Sequence, residues 1–157
     1  MTHEQRVILH ISLVNNSGPT TVHALVQACI KTQVPLHELY RFSAADFVAV
    51  GIPFERATKI QQGLSDNDLL ERECALLDKH NINIIFYDDV GYPVWLKNTG
   101  VPPVLLYVRG NMIPSGEKSL AIVGSRQNCL WTITYQSHYA RYCPTFLVCH
   151  QRGRTWY

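Results

Sequence analysis

An α/β fold, with a small helical module leading into the first part of a truncated parallel sheet, is predicted by three features of the chain. Apolar residues recur at helical spacing through roughly the first eighty positions. The period then changes to short runs rich in β-branched and aromatic residues, Ile82 to Tyr87, Val104 to Val108 and Leu120 to Val123, each bounded by Gly, Pro, Asn or Asp. The last run ends on Gly124-Ser125, a turn of the kind that follows a buried strand. Helices first and near-continuous apolar strands after them give the order of a doubly wound sheet. At 157 residues the chain is long enough for one ordinary core, which excludes a large multidomain enzyme.

Each helix has its own signals. Val7, Ile8, Ile11 and Val14 share one face, and Asn15-Asn16-Ser17-Gly18-Pro19 stops that helix. Thr20 or Thr21 caps a second helix with Val22, Leu25, Val26, Cys29 and Ile30 as its core stripe, and Pro35 closes the segment after it. Leu36, Leu39 and Tyr40 give a further turn of helix. Ser43 with Asp46 reads as a capping box before Phe47 and Val50, with Asp in place of the usual Glu or Gln. Ser65 and Asp66 offer a cap to a helix carrying Leu69, Leu70, Leu76 and Leu77 that ends near His80-Asn81.

Between the third and fourth of these helices, Phe47 to Pro53 followed by Ala57 and Ile60 resembles the second half of a helix-hairpin-helix, whose Gly turn aims backbone N–H groups at a phosphate. Pro53 stands where a second Gly is usual, and it has no N–H to donate. Plain packing is the competing reading, with Gly51 as a helix C-cap and Pro53 as the first residue of the next helix.

Composition narrows the function. Hydrophobic residues make up 46% and charged residues 17%, too apolar for a disordered chain. Residues 1 to 117 hold nine Lys and Arg against all twelve Asp and Glu, whereas 118 to 157 hold five Lys and Arg and no acid. Five scattered cysteines without a CxxC pair, and no apolar leader, point to a reducing cytoplasm. No run reaches the roughly 18 apolar residues of a membrane helix. Seven histidines lie far apart with no HExxH pair, and Cys143, Cys149 and His150 lack a second ligand pair at finger spacing. No catalytic constellation and no metal or cofactor site emerges.

Asp88-Asp89-Val90-Gly91-Tyr92-Pro93-Val94-Trp95-Leu96, then Val101-Pro102-Pro103-Val104 to Asn111, then Ala121-Ile122-Val123-Gly124-Ser125-Arg126, is an ordered set that resembles the DprA/Smf family of bacterial DNA-processing proteins. The resemblance covers about residues 4 to 126. It implies a sterile-alpha-motif-like (SAM-like) helical module over 1 to 64, then a Rossmann-like domain over 65 to 126 that binds single-stranded DNA. The implied role is in natural transformation, where incoming DNA is shielded and the recombinase RecA is loaded onto it. It also implies a homodimer and no cofactor.

The residues carried over as nucleic-acid-binding are Gly124, Ser125 and Arg126, with Arg109 and Gly110 as the turn after the second strand. The chemistry suits a phosphate: Gly permits close backbone approach, Ser donates to an oxygen, and Arg grips with two parallel bonds. An ordinary strand-to-helix turn, and a β-turn with an exposed cation at Arg109, are the plainer readings. Tyr92-Pro93 and Pro102-Pro103 hold extended loop geometry, and Trp95 is expected as a core or loop anchor rather than a base-stacking platform. The alternative function is a nucleotide-handling enzyme of the lysine-decarboxylase-like phosphoribohydrolase group, in which a similar turn holds a nucleotide phosphate.

Residues 127 to 157 show no sustained period and none of the segments that continue the family's pocket. They read as a non-family tail, translated out of frame, that leaves the domain unfinished and its activity impaired. Asn128 to Thr132, read one base downstream, permits Thr-Ala-Tyr and forces Gly, the family-like step. The coding DNA tests this: the shifted frame either runs on into a Ser-Gly-x-Ala-x-Gly segment, as expected, or meets stops at once, which removes the idea.

Overall fold

The computed structural model describes residues 1–110 and a strand at Thr145–Val148. Six α-helices and three strands occupy them. The first helix, α1 (His3–Leu13), starts at a capping box: the Thr2 amide donates to Gln5 Oε1 at 2.8 Å and the Gln5 amide to Thr2 Oγ1 at 3.2 Å. In α2 (Pro19–Thr32) the cap is Gly18, and the expected threonine caps lie inside the helix. Proline at the first helical position explains the shift, because its fixed φ starts the helix and it lacks an N–H that would need capping. Ile30, expected in the core stripe, is 64% exposed.

A 3-10 helix (Leu36–Arg41) leads to α3 (Ala44–Ala49), whose Ser43/Asp46 box forms as expected: the Ser43 amide donates to Asp46 Oδ2 at 2.8 Å, and the Asp46 amide to Ser43 Oγ at 3.3 Å. The Ser43 hydroxyl and amide hold the Asp46 carboxyl below the usual range. Gly51, at φ +93°, ends α3 in a Schellman motif: its amide donates to Val48 O and the Ile52 amide to Phe47 O. Pro53 is the cap of α4 (Phe54–Leu64) rather than its first residue. Asp66 caps α5 (Asn67–His80), which ends on Asn81 in the left-handed region.

Two apolar clusters meet on α1. Val7, Ile11 and Val14 pack with Val22 and Leu25 of α2, Phe47 of α3, Ala57 and Ile60 of α4, and Val104 from the approach to the second strand. Leu9 packs on the other side with Leu70 of α5, Phe86 and Leu105. Residues 7 and 9 lie about 200° apart around a helix, so α1 is sheathed on both sides. His10, fully buried beside them, ties three elements together. Its Nδ1 lies 3.2 Å from the Tyr40 hydroxyl and its Nε2 lies 3.1 Å from the Asp66 carbonyl. The neutral ring satisfies both contacts by donating from Nε2 to the carbonyl and accepting the tyrosine proton at Nδ1. Burial lowers the His10 pKa, with the bonds to Asp66 opposing it.

The strands β1 (Ile82–Phe86), β2 (Leu105–Gly110) and β3 (Thr145–Val148) form one sheet in the order β1-β2-β3. Both pairings are antiparallel, with Ile82 opposite Arg109, Phe86 opposite Leu105, and Arg109 opposite Phe146. The chain is α/β as expected, but the parallel pairing expected for its first strands is not what forms. A parallel neighbour needs a crossover that carries the chain back along the whole strand. Residues 87–104 hold only the four-residue helix α6 (Val94–Lys97), and the Tyr87 amide donates to Val104 O at 2.9 Å across the base of the loop. The chain therefore re-enters beside the point where it left. The run Leu120 to Val123 lies outside the described residues.

Gly63 is fixed by close approach, since a Cβ there would press into both γ-methyls of Val14 and sit 3.1 Å from its Cβ. Gly63→Ala is expected to destabilise by about 1–2 kcal/mol, overpacking exceeding the gain in helix propensity. In urea melts, Val14→Ala should remove most of the cost of Gly63→Ala, since only the 3.1 Å approach to the Cβ remains, and additive losses would contradict the contact.

The His10 shift sets a second expectation. The unfolded chain accepts a proton near pH 6.5 that the folded one resists, so stability is complete above that pH and falls as pH drops toward the lower folded value. Urea midpoints between pH 7.5 and 5.5 should decline less in His10→Gln than in the parent; an unchanged slope would contradict this.

Candidate nucleic-acid interface

The loop 87–104 is closed by side chains as well as by backbone. Asp89 accepts the Phe86 amide on Oδ2 at 2.8 Å and Gln5 Nε2 of α1 on Oδ1 at 3.0 Å. The Tyr92 hydroxyl donates to Pro103 O at 2.7 Å, and His23 Nε2 of α2 lies 2.9 Å from Pro102 O. Lys97 holds its ammonium 5.0 Å from the Tyr87 ring centroid and 5.5 Å from that of Tyr92, within cation–π range of both. Pro102 thus presents its carbonyl to the helical side of the molecule, while the Pro103 carbonyl closes the loop on itself. Tyr92 is the buried anchor of this loop, whereas Trp95, expected in that role, is 51% exposed.

This closed loop sets the position of β2 and its charged end. Leu106 and Val108 point to the face covered by Tyr92 and Leu96, while Leu105, Tyr107 and Arg109 alternate onto the face that packs against α5. Arg109 and Gly110, expected as a turn, are strand residues: both pair with β3, and β2 ends on Gly110 at φ +101°, a conformation open to glycine. Arg109 is exposed and has no ion pair among the described residues. Gly124, Ser125 and Arg126 lie outside the described residues.

Further basic residues stand in sequence at the same end of the hairpin. Arg109 stands opposite Ile82, and α5 ends two residues before Ile82 with Lys79 and His80 in its last turn. The sequence signal was present, since basic residues in a last turn complement the helix dipole, but only the register shows that they share an end with Arg109. One step inward, burial and the neighbouring Glu73 carboxylate push the Tyr107 phenol well above its usual pKa. Tyr107 therefore stays protonated and neutral beside Arg109.

The helix-hairpin-helix resemblance does not yield a second phosphate site. The Gly51 and Ile52 amides that such a turn would offer are both spent on the C-cap of α3. Among the described residues no group of three or more His, Cys, Asp and Glu could hold a metal ion, and no helix is long and apolar enough to cross a membrane. Cys29 and Cys74 are free thiols, and burial raises the Cys29 pKa, leaving it a core residue.

Asp89→Ala removes both acceptors at the loop base and leaves a strand amide and the Gln5 side chain without partners. The expected loss is about 1–3 kcal/mol in urea unfolding. Gln5→Ala, which removes the bond to Asp89 and the exposed capping bond to the Thr2 amide but leaves the strand amide bonded, should lose less, and an equal or larger loss would contradict a leading role for the Phe86 bond.

Residues 83–148, from the second position of β1 to the end of β3, match the model of the family described as DNA recombination-mediator protein A. No curated protein and no solved structure matches the chain. The matched segment contains the Tyr92-Pro93 loop, the Pro102-Pro103 step, Arg109-Gly110 and Gly124-Ser125-Arg126 in order. Over this segment the chain matches the DNA recombination-mediator protein A family, the DprA/Smf family that its motifs resemble.

Proposed function

We propose that this chain is a single-stranded DNA-binding accessory protein of natural transformation that holds the strand by its phosphates and performs no bond-breaking chemistry. The family match over residues 83–148 carries the reading. Arg109, exposed at the basic end of the hairpin and without an ion pair among the described residues, supports it. Gly124, Ser125 and Arg126 would complete the phosphate grip with Arg109, in a cytoplasmic protein that needs no cofactor. Loading of RecA and formation of a homodimer belong to the same reading.

The organisation proposed for the chain is a SAM-like helical module over 1–64, a Rossmann-like region over 65–126 and an out-of-frame stretch over 127–157. The family match runs on to residue 148, so the last boundary rests on the coding DNA. The first boundary is one of sequence rather than of packing, because Val104 lies in the helical cluster and Leu9 in the hairpin's.

Binding through phosphates releases counterions, so retention of oligo(dT) should fall steeply with salt. Arg109→Ala and Arg126→Ala should each weaken retention and reduce the slope of log K against log[salt] by about 0.7, the value for one single-strand phosphate. Hydrolysis of nucleoside monophosphates without oligonucleotide retention would overturn the reading in favour of the phosphoribohydrolase alternative.

A further inference from the structure

A second cationic site lies on the helical side of the molecule, away from the family-matched segment. Residues 1–110 contain five arginines, and three are engaged: Arg41 with Glu38, Arg56 with Thr21 and Arg72 with Asp68. Apart from Arg109, the one guanidinium without a hydrogen bond or ion pair among the described residues is Arg6. It lines a cavity of about 380 Å³ with His3, Tyr40, Leu64, Ser65, Asn67 and Leu70. No carboxylate lines this cavity, although acids are common nearby. Asp66 turns its carboxylate to the Leu69 amide, and Glu38 is engaged by His37 and Arg41.

The donors can be assigned atom by atom. Tyr40 gives its proton to His10, and the Ser65 hydroxyl donates to Gln61 O at 3.0 Å, so both are acceptors at most. The Arg6 fork, the His3 ring and the Asn67 amide remain, brought together from the first turns of α1 and α5. The Arg6 charge reaches into the cavity's inner wall, where it lowers the pKa of both His10 and Tyr40 against the larger effects of burial. An exposed cation flanked by further hydrogen-bond donors, beside two leucines and without a competing acid in the lining, has the chemistry of an anion site.

We infer that this cavity binds a phosphate group, gripped by Arg6 and flanked by His3 and Asn67. The phosphate comes either from a nucleic-acid strand or from a free phosphate ion. The inference does not depend on the strand-binding role of Arg109 and Arg126: loss of that role would leave binding of inorganic phosphate intact.

The test is an NMR titration of the full chain that follows the Arg6 Nε–Hε and His3 ring signals. One arm adds inorganic phosphate and the other a dT oligonucleotide, with ionic strength held by sodium chloride. Saturable shifts in either arm are expected, weakened about tenfold or more in Arg6→Ala and unchanged in Arg41→Ala. The arm that saturates at the lower concentration identifies the source. No shift in either arm, equal shifts with acetate, or an Arg6→Ala titration like the parent's would overturn the proposal. Arg6 is exposed, so its loss should leave the thermal midpoint unchanged; should Arg6→Ala fail to fold, Arg6→Gln is read by the same criteria.

Discussion

Everything described here depends on one helix that is buried on opposite sides at once. Helix α1 gives Val7, Ile11 and Val14 to the helical cluster and Leu9 to the hairpin cluster, with His10 between them bonded to Tyr40 and Asp66. Burying a residue of this size contributes about 1.5–3 kcal/mol, so these four apolar side chains together rival the net stability of a domain. The buried imidazole adds direction to that packing. Its two bonds are satisfied only when the 3-10 helix and the start of α5 stand where they do, so it fixes how the helices are arranged around α1.

The hairpin inherits its position from that helix. Gln5 of α1 holds Asp89, which caps the Phe86 amide, and His23 of α2 meets the Pro102 carbonyl. A loop fixed at both ends returns the chain antiparallel and sets the register that puts Arg109 opposite Ile82 at the exposed end of the sheet. Arg109, the cation we propose for a phosphate, is therefore placed by contacts that reach back to the first turn of the chain. Its neighbour Tyr107 is held neutral by burial, and Lys79 and His80 end the adjoining helix at the same edge.

Local signals made most of the helices legible. The Ser43/Asp46 box and the Asp66 cap follow from side chains bonding to backbone within a few residues, and the stop at Asn81 from a residue type that tolerates the left-handed region. Thr20 and Thr21 misled because Pro19 starts α2 without help, and the Thr2/Gln5 box escaped notice at the very edge of the chain. The strands were legible as buried runs, but their direction was not. An apolar run has the same composition in either orientation, and the choice was made by Asp89, Tyr92 and the Tyr87 amide, which themselves lie outside the strands. Of the candidate site, Arg109 was visible as a residue, while its place in a strand and its basic neighbours required the register.

Native-state hydrogen exchange tests the central claim that the helical cluster and the hairpin form one cooperative unit through α1. The slowest amides of α1, at Leu9 to Ile11, and those of β1 and β2, at Ile85 and Val108, should converge on a single opening free energy as denaturant rises. Exchange of the strand amides through a lower-energy opening, with α1 still protected, would show that the hairpin is merely appended and would contradict the account.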